Sequence, residues 1–184
     1  MPNTILVDTG FLVALFRRGD PYYASAKSLL AGRLKRERPR LVTIYPVITE
    51  TCFFFQPADG ALFLDWVHQG GVVLRQIEPS HLPEIAALLR RYADQRIDLA
   101  DAGLIWLAGQ EKTNRVLTTD RRDFSIYRTP DGRPFERVWL ADEGRKRSCR
   151  YRCARLPDTS ASVPPVFGWD GRERNEPGYL RRPG

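Results

Sequence analysis

Ile5-Leu6-Val7 is an unbroken apolar run that stops at Asp8, and Val116-Leu117-Thr118-Thr119 stops in the same way at Asp120. Runs this short and apolar read as strands buried on both faces, the pattern of a parallel sheet covered by helices. A helical pattern follows the first run at once, with Thr9-Gly10 opening Phe11-Leu12-Val13-Ala14-Leu15-Phe16. Each acid therefore closes a strand at its carboxyl end. Open α/β sheets gather ligands outside those ends, so Asp8 and Asp120 are expected to be neighbours despite their separation in sequence.

The rest of the body keeps the alternation. The first helix runs to Arg17 and breaks at Gly19-Asp20-Pro21, where Pro21 suits the first turn of a second helix over Tyr22 to Arg36. Leu41-Val42-Thr43-Ile44 reads as a strand. From Pro46 to Phe55 the apolar spacing allows strand or helix, and Pro46 at a first helical position favours helix, which sets Glu50 about one turn in. A helix from about Ala58 ends at Gly70-Gly71, ahead of a strand at Val72-Val73-Leu74. Glu78-Pro79-Ser80 starts the next helix, and Val138-Trp139-Leu140 reads as the last strand. The whole implies an α/β fold, a three-layer sandwich with a mostly parallel central sheet.

Ile97 to Ala108, IDLADAGLIWLA, carries two aspartates at the mouth of an apolar helix. Asp98 suits the N-cap and Asp101 the third helical position, and capping alone would explain both. Glu50 has less excuse, because its neighbours are apolar or β-branched. Carboxylates gathered in one crevice repel, and a divalent cation is the usual remedy.

At 184 residues the chain fits one domain, read as 1–140, with an appendage. Residues 141–184 hold five Gly, five Pro, and ten Lys and Arg against six acids, without a periodic apolar face. This basic extension reads as disordered, and its Arg145-Lys146-Arg147 stretch with Arg150, Arg152 and Arg155 could bind RNA electrostatically. The net charge of +7 favours an anionic partner. No run of about 18 apolar residues offers a membrane span, and MPNTILVDTG lacks the basic start of a signal peptide, so a cytoplasmic protein is expected. His68 and His81 have no local metal-ligand partners, Cys149 and Cys153 lack the further ligands zinc requires, and Cys52 reads as a small core residue. Dinucleotide and P-loop fingerprints are absent.

Val7-Asp8-Thr9-Gly10, Thr49-Glu50, Asp98-Leu99-Ala100-Asp101-Ala102 and Thr118-Thr119-Asp120-Arg121-Arg122-Asp123-Phe124 together resemble the ordered motifs of PIN-domain proteins, with the closest likeness to toxin ribonucleases of the VapC type. The resemblance covers roughly Met1 to Leu140. It implies a PIN fold, an acidic Mg²⁺ or Mn²⁺ site, and endoribonuclease activity on single-stranded RNA, restrained by a cognate antitoxin; a homodimer is compatible with it. Gly103-Leu104-Ile105-Trp106 departs from the pattern, with a glycine and a bulky Trp where a small, regular helix is more usual.

The residues have a chemistry of their own. Hard divalent cations take oxygen ligands, and Mg²⁺ keeps several waters while using one or two carboxylates directly. Asp8, Asp101 and Asp120 are the ion-binding candidates, Glu50 could hold a second ion or orient the attacking water, and Asp98 and Asp123 are weaker members with capping and turn roles as rivals. Thr9 and Thr119 are candidate hydroxyls for steadying the acids. Arg121 and Arg122 could hold a phosphate. The competing reading is a catalytically inactive PIN module that binds RNA or a protein partner through its basic surface.

Overall fold

The computed structural model describes residues 3–139. The extension 141–184, and with it the boundary expected at 140, lies outside the described residues, as does Leu140 itself. The innermost strand, β1 (Thr4–Val7), is buried at all four positions. Because successive strand residues point to opposite faces, both faces of the sheet must be covered there. Beside it on one side lie β2 (Arg40–Ile44) and then β3 (Val73–Arg75), and on the other β4 (Arg115–Leu117) and then β5 (Glu136–Arg137), all parallel. The chain steps outward through β2 and β3, then returns to the far flank of β1. The order reverses between β1 and β4, and the carboxyl ends of those two strands frame the crevice where open α/β sheets bind ligands.

The helices follow from the sequence with a few local surprises. Asp8 is extended and caps α1 (Thr9–Phe16), its side chain accepting from the Thr9 N–H. The expected second helix is continuous but bulged: α2 (Tyr23–Leu29) passes through a π-helical turn at Leu30–Leu34 into α3 (Lys35–Glu37). The bulge turns both Leu30 and Leu34 into the core, while Arg33 donates to the Val138 carbonyl at 3.2 Å. Next, α4 (Tyr45–Phe53) carries Pro46 near its start, settling the strand-or-helix ambiguity in favour of helix. Then α5 (Pro57–His68) stops ahead of Gly70, whose φ of +86° only glycine holds without strain. A 3-10 turn at Pro79–His81 leads into α6 (Leu82–Arg91). His81 accepts the Glu78 N–H through Nδ1 at 3.1 Å and lies 4.7 Å from the Trp106 ring, so it caps and packs.

The last strand is shifted from expectation. The ladder occupies Glu136–Arg137, earlier than Val138-Trp139-Leu140, and its final bond runs from the Val138 N–H to the Val116 carbonyl at 3.0 Å. Val138 and Trp139 are apolar because they pack: Trp139 meets Phe11 edge-on at 5.0 Å and donates from Nε1 to Ser25.

From Ala100 to Ala108, α7 (Leu99–Gln110) is buried at every position but Asp101. That explains its odd composition. Gly103 lets the helix settle on the sheet, since a Cβ there would collide with Ile44 Cδ1, while Trp106 is buried against His81. Gly103→Val should therefore destabilise the protein by about 1–3 kcal/mol through overpacking. Gly103→Ala should be milder, because the colliding atom ends a flexible side chain and alanine favours helix by about 1 kcal/mol over glycine. Combining Gly103→Ala with Ile44→Val should recover stability relative to Gly103→Ala alone. Urea midpoints of the three variants check this ordering.

Candidate active site at the reversal of the sheet

Asp8 stands at the end of β1 with both carboxylate oxygens held. Its Oδ1 accepts the Thr9 N–H at 2.7 Å and its Oδ2 accepts the Thr118 hydroxyl at 2.6 Å. The Thr118 oxygen in turn accepts the Asp120 N–H at 2.8 Å, and Asp120 Oδ1 accepts the Asp123 N–H at 2.8 Å. On the other side, the Thr9 hydroxyl donates to Glu50 Oε2 at 2.6 Å, which ties α4 to the start of α1. Thus Asp8, Glu50, Asp120 and Asp123, far apart in sequence, belong to one hydrogen-bonded chain.

The α7 acids divide their labour. Asp98 is the cap, its Oδ1 accepting the Asp101 N–H at 2.9 Å. Asp101 is thereby left out of the capping role: its Oδ2 accepts the Tyr127 hydroxyl at 3.0 Å, and it lies within reach of the charges of Asp8, Asp98 and Asp120. Capping accounts for Asp98 and not for the Asp101 side chain.

Two site residues escaped the sequence reading. Thr118, not Thr119, braces Asp8; Thr119 instead packs on Gly10, where a Cβ would collide with its Oγ1. Adjacent residues at a strand's end point to opposite sides, so choosing between two threonines needed the register of β4. Tyr127 follows α8 (Asp123–Ile126), a helix of four residues, and nothing local marks its hydroxyl as facing Asp101. Arg121 and Arg122 occupy the exposed turn after Asp120. Arg122 borders a recess beside Asp123, and the Arg121 carbonyl accepts from Arg137 Nη1 at 3.2 Å.

Burial and mutual repulsion set the electrostatics. Asp8 is only 8% exposed, and desolvation, with the Glu50 charge adding to it, pushes its carboxyl up to about 6 against the lowering effect of the Thr118, Thr9 and Gly10 donors. Asp101 is pushed up to about 7, first by desolvation and then by the charges of Asp8 and Asp98. Asp123 is raised as well, by desolvation and by Asp120. Burial beside Asp101 drives the Tyr127 hydroxyl far above its ordinary value, so it remains a proton donor.

The donor set suits a hard cation. Every acidic side chain in the crevice offers oxygen, and the raised pKa values of Asp8 and Asp101 mark a place where positive charge would be stabilising. Among the described residues no three His, Cys, Asp or Glu side chains form a ready-made cage. An ion that keeps much of its hydration shell needs none.

A carboxyl whose folded pKa lies above its unfolded value binds its proton more tightly in the folded state. For Asp8 and Asp101, stability of the metal-stripped protein should thus fall as pH rises from about 4 through about 7. Asp101→Asn deletes one of the two contributions. Its melting temperature should exceed the parent's above pH 7, and the gap should close below pH 4. Thermal melts of both proteins across that range test the sign, and a gap that does not vary with pH would contradict it.

Comparison with known proteins agrees with this fold. The PIN domain family matches residues 5–130, a span that holds every acid described above. Ribonuclease VapC26 of Mycobacterium tuberculosis is 27% identical over 135 residues, which cover 71% of this chain and 97% of that protein. The crystal structure of Mycobacterium tuberculosis VapC20, a toxin that cleaves the sarcin–ricin loop, superposes with a TM-score of 0.57 at 20% identity, covering 64% of this chain and 91% of VapC20. The extent of the family match, together with the parallel sheet and the acids at its reversal, places this chain in the PIN-domain family.

Proposed function

We propose that this protein is a divalent-metal-dependent endoribonuclease that cleaves single-stranded RNA, the toxin of a type II toxin–antitoxin pair. The observation that carries the reading is the convergence of Asp8, Glu50, Asp101 and Asp120 on the reversal between β1 and β4. Likeness to a protein named a ribonuclease supports the reaction class. A cognate antitoxin follows from the VapC likeness, and a homodimer and a cytoplasmic setting fit it.

Asp8, Asp101 and Asp120 would hold Mg²⁺ or Mn²⁺, directly or through water. When bound, the ion acidifies a water and neutralises charge developing on the phosphoryl oxygens. The protein's own part is positioning. Asp8 is braced by a backbone N–H and a hydroxyl, which leave each of its oxygens a further lone pair. Glu50, held by the Thr9 hydroxyl, would orient the attacking water and accept its proton at a carboxylate oxygen. Tyr127 fixes the rotation of Asp101. Arg121 and Arg122 serve the phosphates of the strand, and Asp98 and Asp123 keep the crevice in shape by capping and turning.

Purified protein freed of inhibitor should cut single-stranded RNA with Mg²⁺ or Mn²⁺ and stop when EDTA is added. Asp8→Asn and Asp120→Ala should each lower the rate by at least about tenfold, the scale on which residues holding a catalytic group act. Retention of the parent rate by either variant removes that residue from the ion-binding set. RNA binding without cleavage at any divalent concentration would favour an inactive RNA-binding module instead.

The basic extension is proposed to add affinity without supporting the fold. Truncation after Leu140 should leave the melting transition nearly intact and flatten the salt dependence of RNA binding. A truncated protein that cannot fold would show that the extension is structural.

A further inference from the structure

A recess of about 450 Å³ opens beside the acidic crevice, lined by Asp94, Gln95, Arg96, Arg122 and Asp123. One wall is the turn that leads into Asp98, and the other shares Asp123 with the hydrogen-bonded chain of the site. Arg33, Arg40, Arg75 and Arg133 each have a carboxylate partner within 4.0 Å. Among the described residues no salt bridge holds Arg96 or Arg122, and Arg122 meets the neighbouring Asp123 only through its field. Both side chains are exposed at the recess, available to something that is not part of the described chain.

Arg96 closes the 3-10 turn Ala93–Gln95 as its C-cap, in a conformation it shares with Arg38 and Lys112 elsewhere in the chain. Its φ is +54°, in the left-handed region where glycine is at ease and a long side chain is not.

The lining narrows what that use can be. All five residues are polar and none is aromatic, which disfavours a nucleobase, since unpaired bases are held largely by stacking. A phosphodiester alone would suit the two arginines but would meet Asp94 and Asp123 as repelling acceptors. A ribonucleotide unit satisfies both kinds of lining, because its phosphate accepts from guanidinium groups and its 2′-hydroxyl can donate to a carboxylate. We propose that this recess binds one sugar–phosphate unit of the RNA strand flanking the scissile bond, with Arg96 and Arg122 gripping the phosphate and Asp94 accepting the ribose 2′-hydroxyl. The inference rests on the ribonuclease reading above and adds to it a basis for telling RNA from DNA.

The test uses the full chain, a short fluorescein-labelled single-stranded RNA and DNA of the same sequence. Binding is followed by anisotropy in EDTA across a salt series, and cleavage kinetics are measured separately with Mn²⁺. Arg96→Gly should melt no lower than the parent, because glycine relaxes the left-handed backbone. It should nevertheless bind RNA about tenfold more weakly, with a salt slope smaller by about one, and raise KM more than it lowers kcat. Arg96→Lys, which keeps the charge but loses the planar fork, should fall between the two. Asp94→Ala should narrow the preference for RNA over DNA without weakening DNA binding.

An Arg96→Gly variant that cleaves RNA with the parent's KM and binds it with the parent's salt slope overturns the phosphate subsite and leaves the ribonuclease reading intact. An unchanged RNA-to-DNA ratio in Asp94→Ala overturns the hydroxyl contact. A parent that neither binds nor cuts RNA overturns the ribonuclease reading, and this inference with it.

Discussion

The bond from the Thr118 hydroxyl to Asp8 Oδ2 closes the seam between β1 and β4, and the rest of the crevice hangs from it. It is a charge-assisted bond between two buried groups, a kind that contributes about 1.5–3 kcal/mol and costs at least as much when only one partner is removed. It holds the first acid in place at the end of β1. Through the same hydroxyl oxygen it fixes the backbone of Asp120, and through Asp120 that of Asp123. Thr9 performs the matching task on the other flank, with its N–H on Asp8 and its hydroxyl on Glu50. Two threonines thus bring acids from β1, α4 and the turn after β4 into one register.

This arrangement is stabilised by its hydrogen bonds and strained by its charges. Asp8 and Asp101 are each desolvated and each lies in the field of other carboxylates. A hydrophobic substitute at either position would remove the charge but leave a buried hydroxyl, that of Thr118 or Tyr127, without its acceptor. Two desolvated carboxylates in each other's field are the arrangement expected where stability gives way to chemistry.

The fold was readable wherever hydrophobic pattern and burial coincide. Ile5 to Val7 and Val116-Leu117 are fully buried, and so are unambiguous as strands, with the acids that follow them marking the carboxyl edge. Pro46 settled α4 because a proline suits a helix start. What could not be read depended on partners remote in sequence. Val138 and Trp139 look like strand and act as core, because Trp139 finds Phe11 and Ser25 on the first two helices. The choice of Thr118 over Thr119 rests on strand register, and the role of Tyr127 on where a four-residue helix deposits it. Gly103, an apparent irregularity in the pattern, is the point where α7 meets the sheet. In each case the missing information was tertiary.

The pairing of β1 with β4 also orders events as the chain is made. Asp8 and its brace Thr118 are 110 positions apart, so their contact closes one of the longest loops in the domain, and non-local parallel pairing of this kind forms late. A nascent chain that has released β1, α1 and α4 from the ribosome carries Asp8 and Glu50 but has neither Thr118 nor Asp120. Release of α7 adds Asp98 and Asp101, yet Asp8 still lacks its brace. A chain cut short before β4 by premature termination or stalled synthesis therefore carries acids without the seam that holds them, and the crevice is completed in a late step when β4 docks beside β1.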